Sequence, residues 1–309
     1  MNILFMGTPD FAVPSLIKLT ENGHRPVAVV TGADKKRGRG QKLIPTPVKS
    51  AAIDIGIPIL EPKNLKDSSF IREIASLDVE LSCVVAFRIL PEKVITVPER
   101  GTINLHASLL PLYRGAAPIQ RAIMAGEKVT GATTFFIRRE VDTGNILLQS
   151  SLPIAEDEDF GSLHDRLAEL GAELLLETIE GLKSEKLKEI PQDNAKATNA
   201  PKIKSDDLVI NWNNSARRIH NQIRGLSPFP GVSARIKNLV IKIFKTEKSE
   251  ESVEGYSPGQ ISEITGSYFT VATADGGLKV LELQRRGKIR MEASEFLRGI
   301  NLSTGDVLT

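Results

Sequence analysis

Over the first 150 residues, short β-rich runs alternate with stretches of helical spacing, and this alternation constrains the fold more than any other feature of the chain. It is the pattern of a parallel sheet covered by helices. Strands are predicted over 2–6, 26–30, 81–86, 102–105, 132–137 and 146–150, with helices near 9–21, 47–55, 69–76 and 118–125. The opening unit reads as strand, Gly7-Thr8-Pro9-Asp10, helix, with Thr8 as N-cap and Pro9 at the first helical position. A dinucleotide-binding turn needs G-x-G-x-x-G; only Gly7 is present here, which counts against NAD or FAD.

From about 162 to 182, Leu163, Leu167, Leu170, Leu174 and Ile179 recur at helical spacing behind a Ser162-x-x-Asp165 start. Their stripe is core. Residues 183–200 are polar and Lys-rich, carry Pro191 and run into Pro201, and read as an interdomain linker. Beyond them a helix over 215–224 precedes short strands at 232–236, 239–244, 259–264, 268–273 and 278–283, the texture of a small β-barrel. The expected division is a first domain over 1–188, a linker over 189–204 and a second domain over 205–309, which suits 309 residues at roughly 100 to 200 per domain.

Composition narrows the partners. At 41% hydrophobic and 25% charged the chain is of ordinary globular make-up, and disordered, collagen-like and membrane classes are set aside. Its single cysteine, Cys83, lies in the apolar run Leu81-Ser82-Cys83-Val84-Val85, where it reads as a buried, inert thiol in a reducing compartment. The N-terminal run lacks a basic n-region and is too short for a signal peptide or a membrane span, so a cytoplasmic protein is expected. Its four histidines are not spaced as ligand pairs with one another or with Cys83, so no metal is expected. A net charge of +2 gives no global field for nucleic acid. It is unevenly placed: 16 Lys plus Arg against 12 Asp plus Glu in 201–309 leave a net of about +4 there, and about −2 over 1–200.

The strongest chemical feature is Asn104-Leu105-His106-Ala107-Ser108-Leu109-Leu110-Pro111, where a predicted strand runs into a loop. Residues two apart on a strand share a face, so Asn104 and His106 project together at the carboxyl end, the edge at which open α/β sheets bind ligands. An asparagine closing a turn beside a histidine satisfied in the core would give the same triplet. Asp142-Thr143-Gly144 supplies a third polar group, although by itself it is an ordinary turn. Together, amide, imidazole and carboxylate suit transfer to an amine: two donors for a developing oxyanion, and a carboxylate that orients the imidazole and helps remove a proton. Ser108 lacks the G-x-S-x-G elbow of a nucleophile and reads as a loop-shaping residue. Separately, Lys35, Lys36, Arg37, Arg39 and Lys42 put five positive charges into a glycine-punctuated loop without an intervening carboxylate. Such a loop is either simply solvated or a grip on a phosphate backbone.

The chain resembles the methionyl-tRNA formyltransferases over essentially its full length. The resemblance rests on Phe5-Met6-Gly7-Thr8-Pro9-Asp10-Phe11-Ala12, Gly38-Arg39-Gly40 with Pro45-x-Pro47-Val48-Lys49, the Asn104 to Pro111 run, Tyr113-Arg114-Gly115-Ala116-Ala117-Pro118-Ile119-Gln120 and Val141-Asp142-Thr143-Gly144. It continues through Ile210-Asn211-Trp212, the run from Ile223 to Gly231, and Gly287-x-x-Arg290-Met291. It implies a Rossmann-like formyltransferase domain with a parallel or mixed sheet, then an OB-like β-barrel.

The implied reaction moves the formyl group of 10-formyltetrahydrofolate to the α-amino group of methionyl initiator tRNA, with the folate as a substrate and no tightly bound cofactor. Position by position, Asn104, His106 and Asp142 match the catalytic residues. Phe87, Arg88, Ile89, Leu90, Ser108, Leu109, Leu110, Pro111 and Val141 fall where the folate is held, and Arg39, with Lys35, Lys36, Arg37 and Lys42 around it, falls where the tRNA is held. The chain departs from the family in Ala86-Phe87-Arg88-Ile89-Leu90-Pro91, one residue shorter than the usual segment, in Asn145 after Asp-Thr-Gly, and in Gly225 where alanine is usual. Formyl transfer to a sugar or ribonucleotide amine would use the same three residues and is the alternative. A nicotinamide oxidoreductase and a non-catalytic RNA-binding protein are weaker ones. A monomer that binds tRNA and folate, with no membrane partner, is the expectation.

Overall fold

A computed structural model describes residues 1–37 and 42–309, and of Lys36, Arg37 and Lys42 the backbone only. The chain divides into two compact units, one of Met1–Ala116, Thr130–Leu152 and His164–Ala200, the other of Ala117–Val129, Pro153–Leu163 and Pro201–Thr309.

In chain order the elements up to residue 183 are β1 (Ile3–Gly7), α1 (Val13–Glu21), β2 (Ala28–Val30), β3 (Lys35–Arg37), β4 (Lys42–Ile44), α2 (Pro47–Asp54), β5 (Ile59–Leu60), α3 (Ser68–Ala75), β6 (Leu81–Val85), α4 (Glu92–Ile95), β7 (Thr102–His106), α5 (Pro118–Ala125), β8 (Val129–Phe136), β9 (Ile146–Pro153) and α6 (Phe160–Lys183). The main sheet has the order β5-β2-β1-β6-β7-β8-β9. Pairings from β5 to β7 are parallel and β8 joins β7 antiparallel, so the sheet is mixed. β1 and β6 are buried at every position, as expected of parallel strands covered on both faces. On one face Phe70 and Ile74 of α3 and Val94 of α4 close over Leu4, Met6, Val30 and Val84. On the other, α6 comes so close to β7 that a Cβ on Gly171 would meet Leu105 Cδ2 at 2.7 Å, and the hydroxyls of Thr134 (β8) and Thr178 (α6) are 2.7 Å apart.

The chain runs from β1 through β2 to β5 on one side and then crosses to β6 on the other. This reversal opens a crevice beyond the carboxyl ends of β1 and β6, the general ligand position in open α/β sheets. Gly7 ends β1 there, where a Cβ would meet Ala12 Cβ at 2.8 Å and the Val85 carbonyl at 3.1 Å.

The helix after β1 begins differently from expectation. Pro9 is extended, a 3-10 turn spans Asp10–Ala12 and α1 starts at Val13, with Pro14 in its first turn. The Ala12 amide bonds to the Pro9 carbonyl at 3.1 Å and the Asp10 carboxylate takes the Phe11 amide at 3.1 Å, while neither the turn nor α1 has a side-chain cap, so Thr8 does not cap the helix. Likewise α6 starts at Phe160, not 162: Asp159 Oδ1 accepts from the Ser162 amide at 2.9 Å, while Asp165 turns to His164 Nδ1 at 2.9 Å and forms no capping box. The basic stretch is not all loop, since β3 and β4 pair as an antiparallel hairpin. Residues 38–41, Arg39 among them, lie outside the described residues. At the hairpin's base Lys49 Nζ lies between Asp34 (2.6 Å) and Glu61 (2.9 Å), and these carboxylates raise its pKa.

The second unit contains α5, α7 (Ala216–Gly225), β10 (Val232–Ile236), β11 (Leu239–Ser249), β12 (Ile261–Ile264), β13 (Phe269–Ala272), β14 (Gly277–Arg285), β15 (Arg290–Glu292) and α8 (Ala293–Arg298). Its antiparallel sheet runs β10-β11-β14-β13-β12, with β15 added beside β14. Ile219 and Ile223 of α7 join Ile243, Phe269, Val280, Leu283 and Phe296 in one apolar core. The C-terminal residues pair with both outer strands: Thr309 exchanges backbone bonds with Arg235 (2.6 and 2.9 Å), and the Ile261 amide bonds to the Asp306 carbonyl at 2.8 Å. From α5, Arg121 grips Asp207 through two nitrogens at 2.8 and 2.7 Å, which holds the Asp207 carboxyl below the ordinary value.

Among the described residues, no helix is long and apolar enough to cross a membrane. Cys83 sits at the centre of β6 with no exposure, and burial pushes its thiol pKa far up. A disulfide reagent such as DTNB should therefore leave the folded protein unmodified over minutes and react with one thiol per chain after denaturation. Rapid labelling of the native protein would contradict this packing.

Candidate active site

β7 carries Leu105 toward α6, which turns its neighbours Asn104 and His106 to the opposite side at the strand's carboxyl end. Asn104 is half-buried, and no hydrogen bond of the described residues engages its carboxamide. His106 is 6% exposed, and its ring lies between two turns. Its Nε2 lies 2.9 Å from the Tyr113 carbonyl, and its Nδ1 lies 3.7 Å from Asp142 Oδ2. A carbonyl only accepts, so the Tyr113 contact assigns a proton to Nε2 and leaves Nδ1 facing the carboxylate.

Both neighbours sit on left-handed backbone, Tyr113 at φ 59° and Asp142 at φ 56°. For residues other than glycine this costs of order 1–3 kcal/mol each, and such strain persists only where surrounding contacts over-determine it. Here they do. The Gly115 amide donates to Asp142 Oδ2 at 2.8 Å, and the Tyr113 amide to Thr198 Oγ1 at 2.8 Å. Gln192 Nε2 donates to the carbonyls of Asp142 (2.9 Å) and Gly144 (2.7 Å). Its Oε1 accepts from Arg114 Nε (3.0 Å) and Nη2 (2.6 Å). Gln192 and Thr198 belong to residues 189–200, expected to be linker, which lie within the first unit and bond to its loops.

The loop after β7 is fixed from within. Ser108 is fully buried and its hydroxyl donates to the Leu112 carbonyl at 2.6 Å, so its side chain shapes the turn. Thr133 Oγ1 donates to the Ser108 carbonyl (2.6 Å) and accepts from the Leu110 amide (3.1 Å), and Gln149 Nε2 reaches the Leu110 carbonyl at 2.9 Å. Leu110 is buried with Phe135 and Ile146, Leu109 and Pro111 are half-buried, and the Leu110–Pro111 bond is cis. After β6, Ala86 takes φ 48° and Arg88 lies 5.1 Å from the Phe87 ring centre while donating to the Pro62 carbonyl at 3.0 Å. Leu90 is buried, whereas Ile89 (79%) and Val141 (53%) are exposed apolar side chains. Lys35 is exposed on β3, and the backbones of Lys36, Arg37 and Lys42 complete the hairpin. Among the described residues, no group of three or more His, Cys, Asp and Glu side chains is placed to hold a metal ion.

Sequence reading missed Thr133, Gln149, Gln192 and the Tyr113 carbonyl. Gln192, in particular, stands in a polar stretch with no periodicity, and nothing local marks it.

Gly115 is the tightest point of this arrangement: its φ is 127°, and a Cβ there would meet the Ala200 carbonyl oxygen at 2.6 Å. Gly115→Ala should destabilise the protein by roughly 1–3 kcal/mol and loosen the amide that holds Asp142. Equilibrium urea unfolding measures the loss, and an unchanged midpoint would show that the backbone accommodates the methyl group freely.

A family model described as "Formyl transferase" matches residues 1–179, and one described as "Formyl transferase, C-terminal domain" matches residues 202–301. The methionyl-tRNA formyltransferase of Moorella thermoacetica is 45% identical over 309 residues, covering 100% of this chain and 99% of the relative. That of Pelobacter propionicus is 44% identical over 308 residues, covering 99% and 96%. Among solved structures, the sugar 3N-formyl transferase WlaRD, determined in the presence of dTDP and 5-N-formyl-THF, is similar with a TM-score of 0.69 at 23% identity, covering 94% of this chain and 99% of that one. HypX from Aquifex aeolicus in complex with tetrahydrofolic acid has a TM-score of 0.65 at 19% identity, covering 100% of this chain and 50% of that one. These likenesses show the formyltransferase fold, and the close full-length relatives show the family: the chain belongs to the methionyl-tRNA formyltransferases.

Proposed function

We propose that this chain transfers the formyl group of 10-formyltetrahydrofolate to the α-amino group of methionyl initiator tRNA, supplying formylmethionyl-tRNA for translation initiation. The observation that carries this reading is the placement of His106 between the Tyr113 carbonyl and Asp142, with the Asn104 carboxamide beside it on the same strand, in a chain 45% identical to a methionyl-tRNA formyltransferase throughout.

The amine attacks the formyl carbon and forms a tetrahedral intermediate with negative charge on the formyl oxygen. Asn104 donates to that oxygen. With the Nε2 proton committed to Tyr113, Nδ1 is the ring atom open to a reacting group: neutral, it accepts a proton, and protonated, it donates to the oxyanion with Asp142 balancing the charge. Asp142, through water, takes the proton that the new ammonium must lose. Collapse of the intermediate breaks the bond to N10 of the folate, which leaves with a proton. An α-amino group has a pKa of about 8, so a modest base suffices.

Folate is assigned to the crevice beyond β1 and β6, against residues 87–90, the backbone of 108–111 and Val141. The exposed Ile89 and Val141 suit an apolar ring, and the folate-type ligands of the similar solved structures support the donor. The tRNA is assigned to the basic hairpin with Arg39, Lys35, Lys36, Arg37 and Lys42. It is also assigned to the second unit, read as an OB-like barrel whose C-terminal residues bridge its outer strands. On that sheet Ser233, Lys242, Gln284 and Arg290 are successive cross-strand neighbours and share a face, a surface suited to phosphates. The working form is read as a cytoplasmic monomer.

Incubation with 10-formyltetrahydrofolate and methionine-charged initiator tRNA should yield formylmethionine, whereas activity only on a small sugar or nucleotide amine would replace the acceptor. Asn104→Ala should lower kcat by about 10² to 10³ with the fold retained, the usual cost of one oxyanion donor, and near wild-type turnover would remove Asn104 from the mechanism. Arg39→Ala should raise KM for the tRNA and shallow its salt dependence while folate binding stays unchanged. Equal losses for both substrates would argue against a tRNA-specific role.

A further inference from the structure

We infer that Gln192 is a positioning residue for the reaction centre: its carboxamide, reaching in from residues 189–200, holds Asp142 in its left-handed conformation beside His106. This rests on the formyl-transfer reading of the same site.

A carboxamide offers two N–H donors and two acceptor lone pairs, and all four are engaged here. Nε2 donates to the carbonyls of Asp142 and Gly144, and Oε1 accepts twice from the Arg114 guanidinium. The pattern fixes the orientation of the amide, because a flipped group would set oxygen against two carbonyls and N–H against guanidinium donors. Glutamate fails for the same reason: it keeps the Arg114 contact and cannot donate. Arg114 directly follows Tyr113, so one side chain ties together the two turns that meet His106 at its opposite nitrogens. The same segment secures the first turn again, as Thr198 Oγ1 accepts from the Tyr113 amide at 2.8 Å, the Arg114 amide bonds to the Thr198 carbonyl at 2.9 Å, and the Ala200 amide to the Arg114 carbonyl at 2.7 Å. Without the Gln192 donors, the strained backbone at Asp142 is free to relax, and its carboxylate moves away from Nδ1 and from the Gly115 amide.

The test compares wild type, Gln192→Glu and Gln192→Met in steady-state formylation of methionyl-tRNA with 10-formyltetrahydrofolate, alongside thermal melts. A misplacement of about 1 Å at a reacting centre is worth up to roughly 100-fold, so both variants should lose about 10- to 100-fold in kcat, with KM for each substrate changing less than about threefold. A purely structural strap predicts a lower melting temperature with kcat intact, and that result, or wild-type kcat in Gln192→Glu, overturns the inference. Should the Gln192 variants fail to fold, Thr198→Val and Thr198→Ser decide: loss of kcat in the first and recovery in the second supports the clamp, and equality of both with wild type overturns it. Wild type that formylates only a small amine refutes the tRNA reading instead, and the same kcat comparison is then made on that amine.

Discussion

The site depends on how the His106 imidazole is set between two different turns. His106 meets the Tyr113 carbonyl on one side and faces Asp142 on the other. Neither turn adopts a relaxed conformation, since both residues are left-handed without being glycine. Their strain is borne by hydrogen bonds with Gly115, Gln192 and Thr198, which lie far apart along the chain. The site therefore exists only after β7, the turn after β9's partner strand β8 and residues 189–200 have all come together. Local sequence cannot assemble it.

The sheet supplies the rigid frame for that convergence. Its parallel strands are apolar on both faces and enclosed by helices, which leaves their carboxyl ends as the place where polar side chains meet solvent. The reversal of strand order between β1 and β6 opens the crevice, and β7 brings Asn104 and His106 to the adjacent edge. The antiparallel β8 then returns Thr133 opposite His106, where its hydroxyl pins the 108–110 backbone. One pairing thus sets both the orientation of the histidine and the shape of the loop beside it.

Much of this order was legible in the sequence because it follows from local periodicity. The strands over 102–105 and 232–236 and the helix over 118–125 were read to within a residue, and Cys83 was recognised as core from its apolar neighbours. What escaped was short or non-local. The hairpin of β3 and β4 has three residues per strand and largely charged side chains, so it shows no alternation. β5 has two residues and owes its strand character to pairing with β2. Thr8 is a reasonable cap by residue type, but Pro9 is extended, a 3-10 turn intervenes and α1 begins at Val13 with no side-chain cap.

The sequence by itself determined a helix-covered α/β first domain, a strand-rich second domain, the family and the nomination of Asn104, His106 and Asp142, because hydrophobic period and motif spacing are properties of contiguous residues. Only the tertiary structure decided which ring nitrogen of His106 carries its proton, that Ser108 points inward, and that a polar stretch with the look of a linker grips the turns around the histidine. Those outcomes depend on which donors and acceptors meet once the chain is folded, 7 residues apart for His106 and Tyr113 and 50 apart for Gln192 and Asp142. A hydrogen bond of that kind leaves no periodic trace in the chain that makes it.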